Sequence, residues 1–416
     1  MTHSLLDTLR GLRGNARACI LTEPLWGIPF NLFAPYASLY MLGVGLSQRQ
    51  VGLVVSMALA GQIVVALFSG IATDKLGRKR ATFLFDILAW TIPCLLWASA
   101  RNIVWFLAAG LINSFRIVPD NSWNCLLVED AAPDDLVHIY TWVGLAGQCS
   151  VLFVPLAALL IDRWTLVPAV RALYLLACLL MTTKFLILNL AATETAQGRI
   201  RIAETRGRSV FAMLGEFRGV ARHVLASPHT LNTIGLMAAL SIVTAVQGAF
   251  WAILVTRRAH IPAGQIAIYP FVRSLIMVAC LLVIVPRLRG VHFARPLWLA
   301  LAGLFASQIL LIATPVHGYA VLLLSTLFES CSVAVLSTIV SQLIVVNVDA
   351  QERARIGSIV QMTVIACTTP FGWIAGVLSE RNAAYPFVLN AAVLVLGALA
   401  VWRLNAEGAP DARTSA

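Results

Sequence analysis

Residues 70–80 read GIATDKLGRKR, a short basic segment between two long apolar runs at about 51–72 and 81–99. Four of its eleven residues are lysine or arginine, and it also contains two glycines and one aspartate. A cluster of lysine and arginine beside an apolar run is typical of the cytoplasmic end of a membrane span. That rule accounts for the charge and requires neither the glycines nor the aspartate. Their spacing therefore indicates a loop of defined conformation with a second role.

The whole chain has the composition of a membrane protein. Of its 416 residues, 59% are hydrophobic and 12% are charged, and the mean hydropathy is +0.85, far outside the range of soluble domains. A transmembrane helix needs about 20 apolar residues, so twelve helices leave no room for a large soluble domain. We expect the net charge of +11 in cytoplasmic loops, and we expect no nucleic-acid partner.

Apolar runs of spanning length recur along the chain in two sets of six. The first set lies at about 18–43, 51–72, 81–99, 102–128, 137–161 and 166–191. The second set lies at about 229–255, 265–285, 296–314, 318–346, 355–379 and 385–403. The prediction is an all-α membrane protein of twelve transmembrane helices in two six-helix bundles, a 6+6 pseudo-repeat. Its predicted parts are an N-terminal bundle at 1–191, a cytoplasmic linker with a surface helix at 192–228, a C-terminal bundle at 229–404 and a cytoplasmic tail at 405–416.

The N-terminus and the basic residues indicate the topology. Three arginines before the first apolar run are typical of a signal peptide, but Glu23 and Pro24 interrupt that run, so we predict an uncleaved first span. With both termini in the cytoplasm, twenty lysines and arginines fall in inner segments and seven at the outer side. This bias predicts cytoplasmic termini in a multi-pass protein of the plasma membrane.

The segment GIATDKLGRKR closely resembles the signature of the major facilitator superfamily between its second and third helices. The resemblance implies an alternating-access secondary transporter with two bundles. It also implies a cytoplasmic latch in which Asp74 faces the start of the eleventh helix and Arg78 faces the acidic end of the fourth. The gating candidates are Gly70, Asp74, Gly77, Arg78, Lys79, Glu129 and Asp130. The alternative is that the basic cluster serves orientation alone.

Polar residues inside the predicted spans are candidates for a solute pathway, because burying an ionised group in hydrocarbon costs about 2.5–3.5 kcal/mol. In the fourth span, Arg116 shares a polar arc with other hydrophilic side chains, and in the tenth, Glu329 shares a face with Ser325 and Ser332, which suggests a cavity. The resemblance implies that helices 1, 4, 7 and 10 line the central cavity. The substrate-binding candidates are Asn31, Asn113, Arg116, Asp120, Asn124, Gln247, Trp251, Arg273 and Glu329. The alternative is that the arginine–carboxylate pairs only lock the bundles.

Two carboxylates are candidates for a coupling proton, Glu329 and Asp120, with Arg273 and Arg116 tuning them. Burial favours the neutral form of a carboxylic acid, and a nearby arginine favours the carboxylate. Glu329 is the first choice, because its arginine lies on a different helix and the two can separate. Lys184 and Asp86 are expected to reach water at the cytoplasmic ends of their spans, with Glu23 near the inner mouth.

Enzyme chemistry has little support in the sequence. The seven histidines fall in loops or at span ends, and the eight cysteines stand singly without C-x-x-C spacing. The chain has neither a Gly-x-x-x-x-Gly-Lys-Ser/Thr phosphate loop nor a Gly-x-Ser-x-Gly elbow. We therefore expect no enzyme activity, no metal and no cofactor, and we expect a monomer.

The residues favour proton-coupled transport of a small polar organic solute that is sugar-like, because amides, carboxylates and aromatic rings suit hydroxyl-rich ligands. Proton-coupled drug efflux is the second hypothesis. Arg116 matches an arginine of the superfamily's drug antiporters, but Pro119 and Asp120 replace the Gln-Gly that follows it there. The fifth span likewise has Val154-Pro155-Leu156-Ala157-Ala158-Leu159 in place of Gly-Pro-x-x-Gly-Gly. A non-transporting receptor or a membrane-embedded enzyme is the alternative from another class.

Overall fold

The computed structural model describes residues 12–132, 135–210, 228–283, 294–346 and 353–406. All regular elements in these ranges are helical, and eleven of the helices there are long and apolar enough to cross a membrane. The remaining predicted span, the first, is divided into shorter helices. The all-α fold class with twelve spans in two sets of six is confirmed.

We number the spans 1 to 12 in chain order. Spans 1 to 6 are Gly14–Thr22 with Pro24–Phe33, Ala34–Tyr36 and Ala37–Gly43; Gln48–Leu76; Arg78–Asp86 with Ile87–Thr91 and Ile92–Ala98; Ile103–Asn113 with Ser114–Arg116 and Ile117–Val128; Leu136–Val151 with Pro155–Trp164; and Leu166–Ala191. Spans 7 to 12 are Pro228–Arg257, Ile268–Val283, Ala294–Ala313, Tyr319–Val346, Arg353–Arg381 and Tyr385–Ala406.

The chain divides into two compact units, a first unit of Met1–Leu214 with Pro262–Phe271 and a second unit of Gly215–Ile261 with Val272–Ala416. Between spans 6 and 7, the helix Ala196–Thr205, here called the linking helix, belongs to the first unit. The predicted surface helix falls mainly on residues 211–227, outside the described residues, as does most of the predicted tail. The predicted domain bounds therefore stay a prediction.

Proline accounts for the breaks in spans 1 and 3. Pro24 begins the second helix of span 1, where its missing N–H costs nothing. In span 3, Pro93 cannot donate a hydrogen bond to the carbonyl of Ala89, four residues earlier. The preceding turn is a π-helix, and the Asn113 side chain of span 4 donates to the Ala89 oxygen at 2.7 Å. Each freed backbone group in a membrane span needs such a partner.

Aromatic packing joins spans 1, 3 and 6 in the first unit. The rings of Trp26 and Phe30 stack 4.8 Å apart, and Trp90 of span 3 meets Trp26 edge to face at 5.2 Å. The hydroxyl of fully buried Tyr40 donates to the Trp97 carbonyl at 2.7 Å. The ring of Tyr174 on span 6 lies 5.6 Å from that of Tyr40. These contacts place spans 1, 3 and 6 side by side.

In the second unit, span 7 packs against spans 11 and 12, and span 9 packs against spans 10 and 12. Span 9 approaches span 10 closely at Gly303, where an added Cβ would lie 2.5 Å from the Ser332 hydroxyl oxygen. Ser325 of span 10 donates to the Ser307 carbonyl of span 9 at 3.0 Å. Ser325 and Ser332 therefore face span 9, and the cavity expected on the Glu329 face of span 10 stays a prediction.

Candidate functional site

The basic segment after span 2 is held by acidic side chains of spans 2 and 4. Gly77 ends span 2 with φ 83°, in the left-handed region that favours glycine. Arg78 follows, and its Nε lies 3.0 Å from both carboxylate oxygens of Glu129 at the end of span 4. Its Nη1 lies 3.0 Å from Asp74 Oδ1. The structure thus brings three of the predicted gating residues, Asp74, Arg78 and Glu129, into one buried cluster.

Glu194, directly after span 6, completes this cluster and was not singled out by the sequence. Its carboxylate accepts hydrogen bonds from the backbone N–H groups of Arg78 and Lys79, at 2.8 and 3.1 Å. It therefore caps the N-terminus of span 3, where a negative charge is stabilised. A Cβ at Gly77 would collide with the same carboxylate, which is a second reason for glycine there. The available signal was an acidic residue at the start of a linker that contains six arginines.

The linking helix adds a further ion pair to this cluster. Arg201 Nε lies 3.6 Å from Asp74 Oδ1, and Arg201 Nη1 lies 2.9 Å from Glu204. The hydrogen bond to Glu204 and the charge of Asp74 raise the pKa of Arg201, so its guanidinium stays charged. Asp74 is thereby shared between span 3 and the linking helix.

The other predicted gating residues lie apart from the Arg78 guanidinium. Asp130 accepts a hydrogen bond from the Ala196 N–H at 3.1 Å and lies 3.4 Å from Asn15 Nδ2, so it joins span 4 to the linking helix and span 1. Lys79 enters the cluster through its backbone N–H. A Cβ at Gly70 would meet no described atom within 4 Å, so packing does not explain this glycine.

A buried polar network connects five spans of the second unit. Glu329 Oε2 accepts a hydrogen bond from Gln247 at 2.5 Å, and Glu329 Oε1 lies 3.2 Å from Arg273 Nη2. Gln308 of span 9 donates to Gln247 at 3.1 Å, and Asn390 of span 12 donates to Gln308 at 3.1 Å. Only 9% of the Glu329 side chain is exposed, against 40% of Arg273. The predicted residues Gln247, Arg273 and Glu329 are therefore neighbours, and Gln308 and Asn390 are additions.

Arg273 is the outermost charged member of this network. Its Nη2 atom contacts Glu329, and 40% of the Arg273 side chain is exposed. Trp251, one turn after Gln247 on span 7, is half-buried. Chemically, the arrangement offers guanidinium donors and an aromatic side chain at the surface, with a carboxylate and three amides behind them.

In the first unit, Arg116 and Asp120 form an ion pair on span 4 with a distance of 3.1 Å. Their side chains are 36% and 54% exposed. Arg116 Nη2 also lies 3.4 Å from Gln62 Oε1 on span 2. The structure thus brings these two predicted residues together in an exposed position.

The predicted asparagines have local partners and do not join the Arg116 pair. Asn113 donates to the Ala89 carbonyl, as described above. Asn124 accepts a hydrogen bond from the Tyr140 hydroxyl at 2.8 Å, and Asn31 donates to the Gly27 carbonyl of its own span at 2.8 Å. A 3₁₀ turn at Ser114–Arg116 interrupts the regular helix of span 4. The single polar arc expected from ideal helical pitch is therefore divided among several neighbours.

Lys184 is buried and does not reach water, contrary to the sequence expectation. It is 5% exposed, and its Nζ lies 2.8 Å from Glu23 Oε2. The ammonium also lies 5.8 Å from the centroid of the Trp26 ring and 5.4 Å from that of Trp123, within cation–π range. Asp86 is 7% exposed, so the same expectation for it is also wrong. Partners on spans 1 and 4, and not solvent, compensate the Lys184 charge.

Comparisons with known proteins identify the family. The family model described as Major Facilitator Superfamily matches residues 26–364. The chain belongs to the major facilitator superfamily. No curated protein matches its sequence.

Solved structures of this superfamily share its fold at low sequence identity. The nucleoside transporter NupG has a TM-score of 0.72 at 16% identity, over 94% of this chain and 99% of that one. A POT family transporter in complex with 5-aminolevulinic acid has a TM-score of 0.74 at 11% identity, over 96% and 97%. The human organic anion transporter MFSD10 has a TM-score of 0.65 at 16% identity, over 93% and 98%. At these identities the likeness establishes the fold alone.

Membership of the major facilitator superfamily makes the protein a secondary transporter and not an enzyme. We call Asp74, Arg78, Glu129 and Glu194 the Arg78 cluster. In this transporter it lies at the segment GIATDKLGRKR, which resembles the superfamily signature. The Glu329 network lies on spans 7, 8, 9, 10 and 12, and the Arg116 pair lies on span 4. These positions define the candidate site in each unit.

Proposed function

We propose that this superfamily member carries a small polar organic solute, sugar-like in its hydroxyl content, together with protons across the cell membrane. We further propose proton symport by a monomer whose termini are both cytoplasmic. The observation that carries the proposal is the buried network in which Glu329 contacts both Gln247 and Arg273. A carboxylate so placed has no evident use in a purely apolar pathway.

The chemistry of the candidate site favours polar solutes over amphipathic drugs. Arg273 presents free guanidinium donors, and Trp251 is an aromatic side chain one turn from Gln247. Hydroxyl groups bond to guanidinium, amide and carboxylate groups, and sugar rings pack on aromatic faces. In the first unit, Arg116 and Asp120 offer an exposed donor and an exposed acceptor of the same kind.

Coupling follows from the position of Glu329 between two partners. As a carboxylate it holds Arg273 by charge. Once protonated, it becomes neutral, and the guanidinium is released to bind a solute oxygen. Proton binding and solute binding are then linked through Arg273, and this linkage is reciprocal. A gradient of either species can therefore drive the other.

The Arg78 cluster has a separate role in this proposal. Arg78 holds the end of span 2, the start of span 3 and the end of span 4 together through Asp74 and Glu129. Glu194 ties the start of the linking segment to the same point. We assign these residues to gating, because an ion-pair cluster at span ends biases a conformational equilibrium without touching the solute.

Solute flux into liposomes that contain the purified protein tests the proposal. The panel contains sugars, nucleosides, small peptides, organic acids and cationic dyes, each with and without an inward proton gradient. We expect one polar class to accumulate only with the gradient, and to do so less after Glu329→Gln. Glu204→Gln, at an exposed carboxylate of the linking helix, is the matched control.

Two outcomes would contradict the proposal. Expulsion of cationic dyes in exchange for protons, without uptake of any polar solute, would establish the drug-efflux alternative. Absence of flux for every class, with correctly folded protein in the liposomes, would favour the receptor alternative.

A further inference from the structure

Three ionisable side chains from three spans lie within electrostatic range of one another inside the first unit. Glu23 lies at the break in span 1, Asp86 lies in span 3 and Lys184 lies in span 6. Asp86 and Lys184 are 7% and 5% exposed, and 15% of the Glu23 side chain is exposed. We call these three residues the inner charge cluster.

Lys184 forms a direct ion pair with one carboxylate of this cluster. Its Nζ lies 2.8 Å from Glu23 Oε2, and the rings of Trp26 and Trp123 lie on either side within 6 Å. A buried ammonium needs such compensation, because its transfer from water costs several kcal/mol. The Lys184–Glu23 pair therefore has no net charge.

Asp86 is the carboxylate that remains. No described residue donates a hydrogen bond to its carboxylate. It borders a cavity of about 10 Å³, which is also lined by Lys79, Thr82 and Asn189, and this volume matches a single water molecule. A buried carboxylate beside a cavity of this size can exchange a proton with a water molecule that enters the cavity.

The charged groups around Asp86 come from every neighbouring span. Lys184 acts on it from span 6, Asp120 from span 4 and Glu23 from span 1. Asp120 has its own arginine at 3.1 Å, so that pair adds little net charge. The Cys19 thiol of span 1 belongs to the same environment, and Lys79 lines the cavity from span 3 itself.

We propose that the inner charge cluster is a proton-binding site that holds one exchangeable proton between Asp86 and Glu23. With both acids ionised and Lys184 protonated, the cluster carries a net charge of minus one in a buried environment. Transfer of a proton from a hydronium ion to the Asp86 carboxylate gives a carboxylic acid and a water, and leaves the cluster neutral. The cost of a buried unpaired charge is thereby removed.

The cluster also has two equivalent neutral arrangements. In one, Lys184 pairs with Glu23 and the proton is on Asp86; in the other, Lys184 pairs with Asp86 and the proton is on Glu23. A shift of span 6 relative to spans 1 and 3 exchanges them. The existence of this site does not depend on the proposed transport function, whereas its use as a second coupling site, besides Glu329, rests on it.

Infrared difference spectroscopy of the protein in lipid tests the site without solute or gradient. The signal is the stretching band of a protonated carboxylic acid, followed between about pH 6 and 8, above the ordinary pKa values of about 3.9 for Asp and 4.3 for Glu. We expect Asp86→Asn and Glu23→Gln each to lower the band by the intensity of one carboxyl group, because each leaves a neutral cluster that needs no proton. Lys184→Met is expected to increase it, because two acids then lack their ammonium.

Glu204→Gln, at an exposed carboxylate, is the control and should leave the band unchanged. A purely structural cluster would not respond in opposite directions to removal of an acid and removal of the base. If Asp86→Asn does not fold, the test rests on Glu23→Gln, for which we expect the same decrease of the carboxylic acid band. A band that both acid variants retain in full, or that sodium ions abolish at constant pH, would overturn the proposal. Because no transport is measured, failure of solute flux in liposomes leaves this result untouched.

Discussion

Each unit contains an arginine–carboxylate pair, and the two pairs differ in burial and in origin. In the first unit, Arg116 and Asp120 lie one turn apart on span 4, and 36% and 54% of their side chains are exposed. In the second unit, Arg273 and Glu329 belong to spans 8 and 10, and 9% of Glu329 is exposed. Gln247 adds a hydrogen bond to the second carboxylate. Similar residues thus occupy very different environments.

The difference decides which pair can act as a switch. An exposed pair on one helix contributes about 0.3–0.5 kcal/mol and keeps its spacing when the helix moves. Removing one partner of a buried pair costs about 3–5 kcal/mol, because the other charge is left uncompensated. Two partners on different spans can also separate when the spans shift. Of these two pairs, the Arg273–Glu329 pair is the one that joins sensitivity to protonation with sensitivity to movement.

Replacement of Glu329 tests this contrast most strongly. Glu329→Gln keeps the shape and hydrogen-bonding capacity of the side chain and removes its titration, so we expect loss of accumulation driven by a pH gradient while counterflow exchange persists. Asp120→Asn, the matched change in the first unit, should retain gradient-driven accumulation. If Glu329→Gln concentrates solute normally and Asp120→Asn does not, the roles of the two pairs are reversed.

Replacement of Arg78 tests whether the effect of losing an ion pair depends on its burial or on its location in the second unit. Its pair with Glu129 is buried but lies in the first unit, with 6% and 17% of the two side chains exposed. Arg78→Ala should therefore destabilise the protein by about 3–5 kcal/mol and lower turnover more than solute affinity. Asp74→Asn should have the same kinetic signature to a smaller extent.

The Arg78→Ala protein should be measured by thermal unfolding, solute flux and equilibrium binding on the same preparation. These measurements distinguish its effect on stability from its effects on turnover and on solute affinity. Glu204→Gln keeps a hydrogen-bond acceptor for Arg201 and leaves the Arg201–Asp74 contact in place, so it should resemble the parent in all three. Unchanged flux from a full complement of Arg78→Ala protein would remove this cluster from gating.

The neighbours of Glu329 offer a finer test. We expect Gln247→Ala and Trp251→Ala to weaken binding of the polar solute by about 1–3 kcal/mol, since a buried partner is left unpaired or an apolar contact is lost. Gln62→Ala, at the amide beside Arg116, should have a smaller effect. Calorimetric affinities equal to that of the parent for both span 7 variants would exclude span 7 from the site.

The smallest expected effect is the coupling energy of the exposed pair. A double-mutant cycle of Arg116→Ala and Asp120→Ala should give a coupling of about 0.3–0.5 kcal/mol in unfolding free energy. The corresponding cycle of Arg273→Ala and Glu329→Ala should give a clearly larger value. Equal coupling energies in the two cycles would abolish the distinction between the pairs.

Part of the candidate site could be predicted from single positions in the sequence. Glu329, Arg273 and Gln247 were candidates because each polar group interrupts an apolar run, and the structure brings them together. Gln308 and Asn390 interrupt apolar runs as well, but only the packing of spans 9 and 12 on span 7 makes them partners. For the asparagines of span 4, ideal helical pitch was a poor guide, because a 3₁₀ turn and Pro93 changed the local geometry.

The sequence by itself determined the membrane, the number of spans, the all-helical class and the family, because the length of an apolar run and the spacing of GIATDKLGRKR are local properties of the chain. Only the tertiary structure decided the partners of Lys184 and of Glu194. Lys184 and Glu23 are 161 positions apart in sequence, and Glu194 caps a helix that begins 116 positions before it. Such pairings depend on how each helix is rotated toward its neighbours, and an almost uniformly apolar helix has no amphipathic pattern that would specify its rotation.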